Sequence, residues 1–139
     1  MNIQPYLSFE GRATEAINFY KNALGAKVDV IMHFKDAPAE MKAQMSPQSM
    51  DKVMHAALKI GDTQVLASDG RCTGKPAFSG ISLTLNAANN AEAEKLFSAL
   101  GSGGQVTMPM AETFFAHRFG MVADKFGVNW MVIAPKAMN

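Results

Sequence analysis

The chain has 139 residues with 13 basic and 12 acidic side chains, so its formal net charge is +1. Nucleic-acid binding through the phosphate backbone needs a stripe of basic residues, which this balanced and scattered distribution does not provide. The single cysteine, Cys72, excludes an intramolecular disulfide, and no stretch reaches the roughly 20 apolar residues of a membrane span. The N-terminal segment has no basic start followed by an apolar run. We therefore expect a cytoplasmic, soluble protein that binds neither nucleic acid nor membrane.

The first half of the chain predicts the element order β-α-β-β-β. Residues 3–9 alternate apolar and less apolar side chains, as a half-buried strand does. Over residues 14–24 apolar side chains recur every three or four positions, and Gly25 stands where a helix C-cap belongs. Three more strands are predicted at residues 27–34, 53–60 and 63–67, with Gly61-Asp62 as a tight turn between the last two.

The second half predicts the same order again. A strand at residues 79–85 is followed by a helix at 91–100 and by strands at 105–108, 115–123 and 128–133. Sequence echoes support a duplication. Glu15-Ala16 recurs as Glu92-Ala93, and His55 is followed by Asp62 at the same spacing as His117 by Asp124. We expect the side chain of Asp124 to shape a turn.

The duplication predicts an α+β fold that forms a single domain from two modules, residues 1–69 and 79–135, joined by a linker at 70–78. Each module has four strands and only one helix, so its helix can cover one face of its sheet. Two such sheets side by side are expected to enclose a cleft.

Three segments resemble a known family: NFYKNALG at residues 18–25, ETFFAHRFG at 112–120 and DKFGVNW at 124–130. With the duplicated order, they resemble the vicinal-oxygen-chelate superfamily of glyoxalase I, bleomycin-resistance proteins and extradiol dioxygenases, and within it the bacterial PhnB-like branch. The resemblance covers essentially the whole chain. It implies a glyoxalase-like curved mixed sheet with a cleft, and a homodimer. Members of this branch have often been labelled 3-demethylubiquinone methyltransferases, but we find no glycine-rich strand-to-helix turn to hold S-adenosylmethionine.

Superfamily enzymes typically hold a divalent metal with ligands from the first and last strands of each half, commonly His or Gln and then Glu. The resemblance places Gln4, or less well Tyr6, at the first ligand position and Gly80 at its counterpart. Met131 stands where a Glu is expected, and residues 65–67 offer no ligand. Because a thioether suits soft metals and not Mg²⁺ or Mn²⁺, we expect no standard metal centre and assign no cofactor.

His117 and Glu112 are the candidate catalytic residues. Strand alternation groups Phe115, His117, Phe119 and Met121 on one face. On a cleft-lining face, His117 could act as general base or bind an acidic group, with Glu112 orienting it. The alternatives are a structural histidine and a solvated carboxylate. A further hypothesis is a relocated divalent metal ion held by His55, Glu112 and His117.

Candidate ligand-binding residues are His55, Phe115, Phe119, Trp130, Met41 and Met45. The two methionines lie in a long connection at residues 35–52, which holds much of the chain's methionine excess and has helical composition over residues 39–45. Long connections commonly form lids over binding sites. The alternative is that this segment packs on a sheet edge or on a partner. Core packing is the alternative for Trp130.

Three hypotheses about function remain open. The first is a protein that binds a small, partly apolar organic molecule without the usual metal. The second is an enzyme of the lyase, isomerase or transfer type that uses His117 and Glu112, with or without a relocated metal. The third is an interaction domain that binds another protein.

Overall fold

Both halves of the chain fold into the same sheet with the same strand order. The computed structural model of the protein describes residues 1–136, and the chain divides into two compact units, Met1–Pro76 (unit one) and Ala77–Asn139 (unit two). Each unit holds one four-stranded mixed sheet and one long helix. The predicted α+β fold with a duplicated β-α-β-β-β order is confirmed.

Unit one consists of β1 (Tyr6–Ser8), α1 (Ala13–Leu24), β2 (Lys27–His33), β3 (Val53–Ile60) and β4 (Thr63–Ser68), with a short helix α2 (Ala39–Lys42) between β2 and β3. The strand order is β1-β4-β3-β2, with β1 parallel to β4 and the other pairs antiparallel. Gly25 ends α1 in the left-handed conformation and Gly61 lies in the β3–β4 turn, as predicted.

Unit two consists of β5 (Ser82–Asn86), α3 (Asn90–Leu100), β6 (Gln105–Ala111), β7 (Ala116–Ala123) and β8 (Asn129–Pro135). Its strand order, β5-β8-β7-β6, repeats that of unit one, again with one parallel pair. None of the helices in residues 1–136 is long and apolar enough to span a membrane.

Three strand boundaries were predicted wrongly. The strand predicted at residues 3–9 is shorter and spans Tyr6–Ser8. The strand predicted at residues 79–85 begins at Ser82, because Gly80 has a φ of 81° and cannot continue an extended strand backwards. The strand predicted at 105–108 runs on to Ala111 through Pro109. Proline has no backbone N–H to donate to a neighbouring strand. It is tolerated at position 109 because β6 is the edge strand of its sheet.

Strand alternation gives each sheet one face covered by its own helix. In unit one this face carries the buried residues Leu7, Ala56, Leu58, Val65 and Ala67. In unit two it carries Gly120, Val122, Trp130, Val132 and Ala134. A β-carbon at Gly120 would lie 2.7 Å from the Phe97 ring, so the glycine allows α3 to approach β7 closely.

We call the other side of each sheet its helix-free face. In unit one it is formed by Gln4, Tyr6, Lys27, Val30, Met32, His55, Ala57, Lys59, Gln64 and Leu66. In unit two it is formed by Ser82, Thr84, Gln105, Met108, Phe119, Met121, Ala123, Asn129, Met131 and Ile133. These two faces are the parts of each sheet that its own helix does not bury.

Asp69 ties the start of α1 to the sheet of unit one. Its side chain is fully buried, and it accepts hydrogen bonds of 2.8 Å from the backbone N–H groups of Gly11, Ala13 and Val53. One carboxylate oxygen thus satisfies donors at the N-terminus of α1, where the helix dipole favours negative charge. The other holds the first residue of β3, so one side chain fixes helix and strand together.

We expect Asp69→Ala to lower the free energy of unfolding by about 3 kcal/mol or more, because it leaves two buried N–H groups and the part-buried N–H of Gly11 without an acceptor. Urea denaturation followed by circular dichroism measures this. Asp62→Ala, at an exposed turn position, is the matched control and should change stability by less than about 0.5 kcal/mol. A loss below about 1 kcal/mol for Asp69→Ala would contradict the assigned role.

Candidate functional site

His55 is hydrogen-bonded to Tyr6 on the helix-free face of unit one. The Tyr6 hydroxyl lies 2.9 Å from Nδ1 of His55, and the two ring centroids are 5.6 Å apart. When the hydroxyl donates to Nδ1, the imidazole carries its proton on Nε2 and offers a fixed N–H donor to a ligand. His55 is half-buried and Tyr6 is 52% exposed, so the pair is accessible.

Three methionines form a row across the helix-free face of unit two. Met131 on β8 pairs in register with Met121 on β7, and Met121 pairs with Met108 on edge strand β6. The row continues to Thr84, whose hydroxyl donates to the Met131 sulfur at 3.8 Å. Sequence reasoning missed this row, because it placed the methionine excess mainly in the connection and could not supply the strand register.

Phenylalanine rings border the methionine row. Phe119 lies two residues before Met121 on β7, so both side chains are on the same face. The Phe119 ring contacts Phe115 edge to face, with ring centroids 5.3 Å apart. Phe114 contacts Phe115 in the same way at 5.2 Å, but its side chain is 93% exposed. The two predicted ligand residues Phe115 and Phe119 are therefore brought together, whereas the Phe114 ring contacts Phe115 and otherwise extends into solvent.

His117 is the extra residue of a β-bulge in β7. Ala116 pairs with Pro135 and Arg118 with Ala134, so the ladder skips His117, which is exposed. A bulge redirects the local side chains, so simple alternation of His117 with Phe115 and Phe119 does not hold here. Because His117 is exposed, it is not a core histidine. A structural role at an interface and a catalytic role both stay predictions.

Glu112 forms an ion pair with Lys136. The carboxylate lies 3.3 Å from the Lys136 ammonium group, which also donates to the Thr113 carbonyl at 2.8 Å. The Thr113 hydroxyl in turn accepts a 3.0 Å hydrogen bond from the Ala116 N–H. These contacts brace the loop before β7. The predicted contact of Glu112 with His117 is not among its bonds in the structure.

Asp124 and Trp130 form a buried pair in unit two. The indole N–H donates to one Asp124 oxygen at 2.9 Å, and the other oxygen accepts from the N–H groups of Phe126 and Val128. Asp124 and Trp130 are 3% and 4% exposed. Asp124 therefore shapes the β7–β8 turn, as predicted, and Trp130 packs on the helix side, away from the methionine row.

Met41 and Met45 lie in the connection between β2 and β3. Helix α2 has only four residues, shorter than the predicted helical composition of residues 39–45 suggested. Met41 is 49% exposed and Met45 is half-buried. The connection is anchored at its end by Lys52, whose ammonium group donates to the Gly11 carbonyl at 2.9 Å. The role of this segment as a lid stays a prediction.

Residues 1–133 match a family described as 3-demethylubiquinone-9 3-methyltransferase. The Escherichia coli protein YjdN is 36% identical over 138 residues, covering 95% of this chain and 94% of that protein. The crystal structure of PA1353 from Pseudomonas aeruginosa matches with a TM-score of 0.85 and 38% identity over 99% of both chains. The Bacillus cereus structure titled putative 3-demethylubiquinone-9 3-methyltransferase, PhnB protein, matches with a TM-score of 0.78 and 25% identity, covering 96% of this chain and 99% of that one.

The chain belongs to the PhnB-like family. The fosfomycin resistance protein FosX from Listeria monocytogenes shares the fold with a TM-score of 0.65 at 9% identity, over 98% of this chain and 93% of that one. The predicted family is confirmed.

The PhnB-like fold allows the superfamily's metal-ligand positions to be located by register. Tyr6 pairs with Leu66 in unit one, and the equivalent pair in unit two is Thr84 with Met131. By this register the counterpart of Gln4 is Ser82, two residues before Thr84, and Gly80 lies two residues before the start of β5. The side chain of Gln4 donates to that of Gln64.

These residues do not fit a hard divalent cation. Such ions prefer carboxylate and carbonyl oxygens, and soft metals prefer thioethers. The first-strand positions supply the amide of Gln4 or the phenol of Tyr6, and the hydroxyl of Ser82 or Thr84. The last-strand positions, Leu66 and Met131, supply an aliphatic side chain and a thioether. Within residues 1–136, no three His, Cys, Asp or Glu side chains group closely enough to hold a metal. The relocated set of His55, Glu112 and His117 draws on both units and stays a prediction.

We expect Trp130→Phe to lower the free energy of unfolding by about 1–3 kcal/mol, because a buried carboxylate oxygen loses its indole donor. Binding of an apolar probe to the helix-free faces should not change. Denaturation followed by circular dichroism and a probe titration measure the two effects. Unchanged stability together with weakened probe binding would show that Trp130 serves a ligand and not the core.

Proposed function

We propose that this PhnB-like protein binds a small, partly apolar organic molecule on the helix-free faces of its sheets. The observation that carries the proposal is the row of Met108, Met121 and Met131 bordered by Phe119. Thioether side chains are flexible and polarizable, so they adapt to apolar ligands of varied shape, while an aromatic ring adds a broad rigid surface. On a helix-free face such residues are available to a ligand.

The Tyr6–His55 pair supports ligand recognition on the helix-free face of unit one. A binding site is typically apolar with a few well-placed polar groups that fix orientation. The imidazole of His55 and the exposed phenol of Tyr6 supply such groups beside the apolar side chains of Leu66 and Val30. We propose binding, without a metal, as the function that these side chains support best.

Methyl transfer is not part of this proposal, although the family description names it. A nucleotide-like cofactor is commonly held by free N–H groups at a glycine-rich strand-to-helix turn. Here the N-terminus of α1 is capped by Asp69, and Gly11 in the preceding turn both donates to Asp69 and accepts from Lys52. The N-terminus of α3 is capped by Asn89, which accepts from the Glu92 N–H.

We also propose that the protein is a cytoplasmic homodimer. The single Cys72 suits a reducing compartment, and the dimer is carried over from the PhnB-like resemblance. Sedimentation velocity across a dilution series measures the second part. A single species of monomer mass at high concentration would contradict it.

The neutral fluorescent probe N-phenyl-1-naphthylamine tests the binding proposal. We expect saturable binding that Phe119→Ala weakens about tenfold, because the probe loses the area of one aromatic side chain. Phe114→Ala is the matched control: it removes the same ring from a 93% exposed position and should leave the affinity unchanged. Denaturation curves establish that both variants fold. Absence of saturable binding, or equal losses in both variants, would overturn the proposal.

A further inference from the structure

A basic row crosses the helix-free face of unit one. Lys27 on β2 pairs in register with Lys59 on β3, and Lys59 pairs with Gln64 on β4. The row ends at Gln4, whose amide donates to the Gln64 carbonyl. Because the side-chain carbonyl of Gln64 accepts this bond, the side-chain N–H groups of Gln64 can donate hydrogen bonds to a ligand. One edge of this face therefore presents two ammonium groups and an amide.

The two lysines are opposed without a counter-charge. Like charges directly opposite each other on neighbouring strands are destabilising, and their β-carbons lie only about 5 Å apart. Both side chains are exposed, and in the part of the chain that the structure describes no carboxylate lies within ion-pair distance of either ammonium group. Asp29 and Asp62 are close in the chain, yet they leave both lysines unpaired. An anion between the lysines would relieve this repulsion.

The fold itself does not require this charge. In unit two the register-equivalent positions of Lys27 and Lys59 are Gln105 and Ala123, and the row continues through Asn129 to Ser82. The same scaffold therefore accommodates a neutral row. The two lysines are a feature of unit one alone and are available for binding.

An apolar row lies beside the basic row on the same face. It runs from Tyr6 through Leu66 and Ala57 to Val30, according to the strand register. Two residues along a strand span roughly 7 Å, so the backbone positions of the basic row and the apolar row are about this far apart. A molecule with an acidic group and an apolar body of one or two rings matches both rows at once.

We propose that the ligand of this protein is an organic anion. Its acidic group, a carboxylate or a phosphate ester, is bound between Lys27 and Lys59 with the amide of Gln64 as an additional donor. Its apolar body lies on Tyr6, Leu66 and Val30, with the buried Ala57 between the last two. This inference rests on the proposed binding function and specifies the class of molecule that the helix-free face of unit one accepts.

Two probes that differ by one acidic group test the inference. 8-Anilinonaphthalene-1-sulfonate has the body of N-phenyl-1-naphthylamine with an added sulfonate. We expect the sulfonate to bind about tenfold more tightly than the neutral probe at low salt, with an advantage that shrinks as salt is raised.

The double variant Lys27→Gln with Lys59→Ala copies the residues that unit two uses at the same positions, so it is expected to fold. It should remove the advantage of the sulfonate and leave the affinity for the neutral probe unchanged. The control is Lys21→Gln with Lys95→Ala, which removes the same charge from exposed positions on α1 and α3. The control should keep the full advantage, which separates a local site from the effect of net charge.

The outcomes separate this inference from the proposed function. If neither probe binds saturably, the proposed function fails. If the neutral probe binds and the sulfonate has no advantage, or if both double variants lose it equally, only the inference is overturned. Competition by octanoate, octyl phosphate and octanol identifies the acid. Stronger displacement by octanoate indicates a carboxylate ligand, stronger displacement by octyl phosphate indicates a phosphate ester, and displacement by octanol as strong as by either acid contradicts the anion preference.

Discussion

A single helix cannot cover both faces of a four-stranded sheet, and this constraint governs each half of the protein. In unit one, α1 buries Ala56 and Leu58. In unit two, α3 packs against the strand that carries Gly120. The aliphatic residues and the buried Trp130 lie on the helix-covered face. The residues of the opposite face are therefore not required to form the core with that helix. The residues that we assign to ligand binding all lie on that opposite side or on the segments beside it.

The duplication separates the requirements of the fold from those of function. Both units keep the same strand order and the same kind of helix-covered face. Their helix-free faces differ in chemistry at equivalent positions. Where unit one has Lys27 and Lys59, unit two has Gln105 and Ala123, and where unit one has Leu66 and Ala57, unit two has Met131 and Met121. The shared fold therefore does not require the side chains found at these positions in either unit.

The sequence predicted most of what depends on local pattern. The element order, the Gly25 cap and the Asp124 turn follow from periodicity and from residues whose conformational preference is strong. Contacts between distant parts of the chain could not be predicted in this way. The Tyr6–His55 bond joins residues 49 positions apart, and nothing in the local sequence of either residue indicates it. The bulge at His117 likewise depends on the pairing of β7 with β8.

Methionine methyl signals in a two-dimensional NMR titration with N-phenyl-1-naphthylamine test the central claim most directly, because this 15.0 kDa chain has 11 methionines. We predict saturable shifts for Met108, Met121 and Met131. Met110, whose sulfur would lie 2.6 Å from a β-carbon built on Gly120 and so belongs to the helix side, should not shift. Shifts confined to Met110, or none in the methionine row, would contradict binding on the helix-free face.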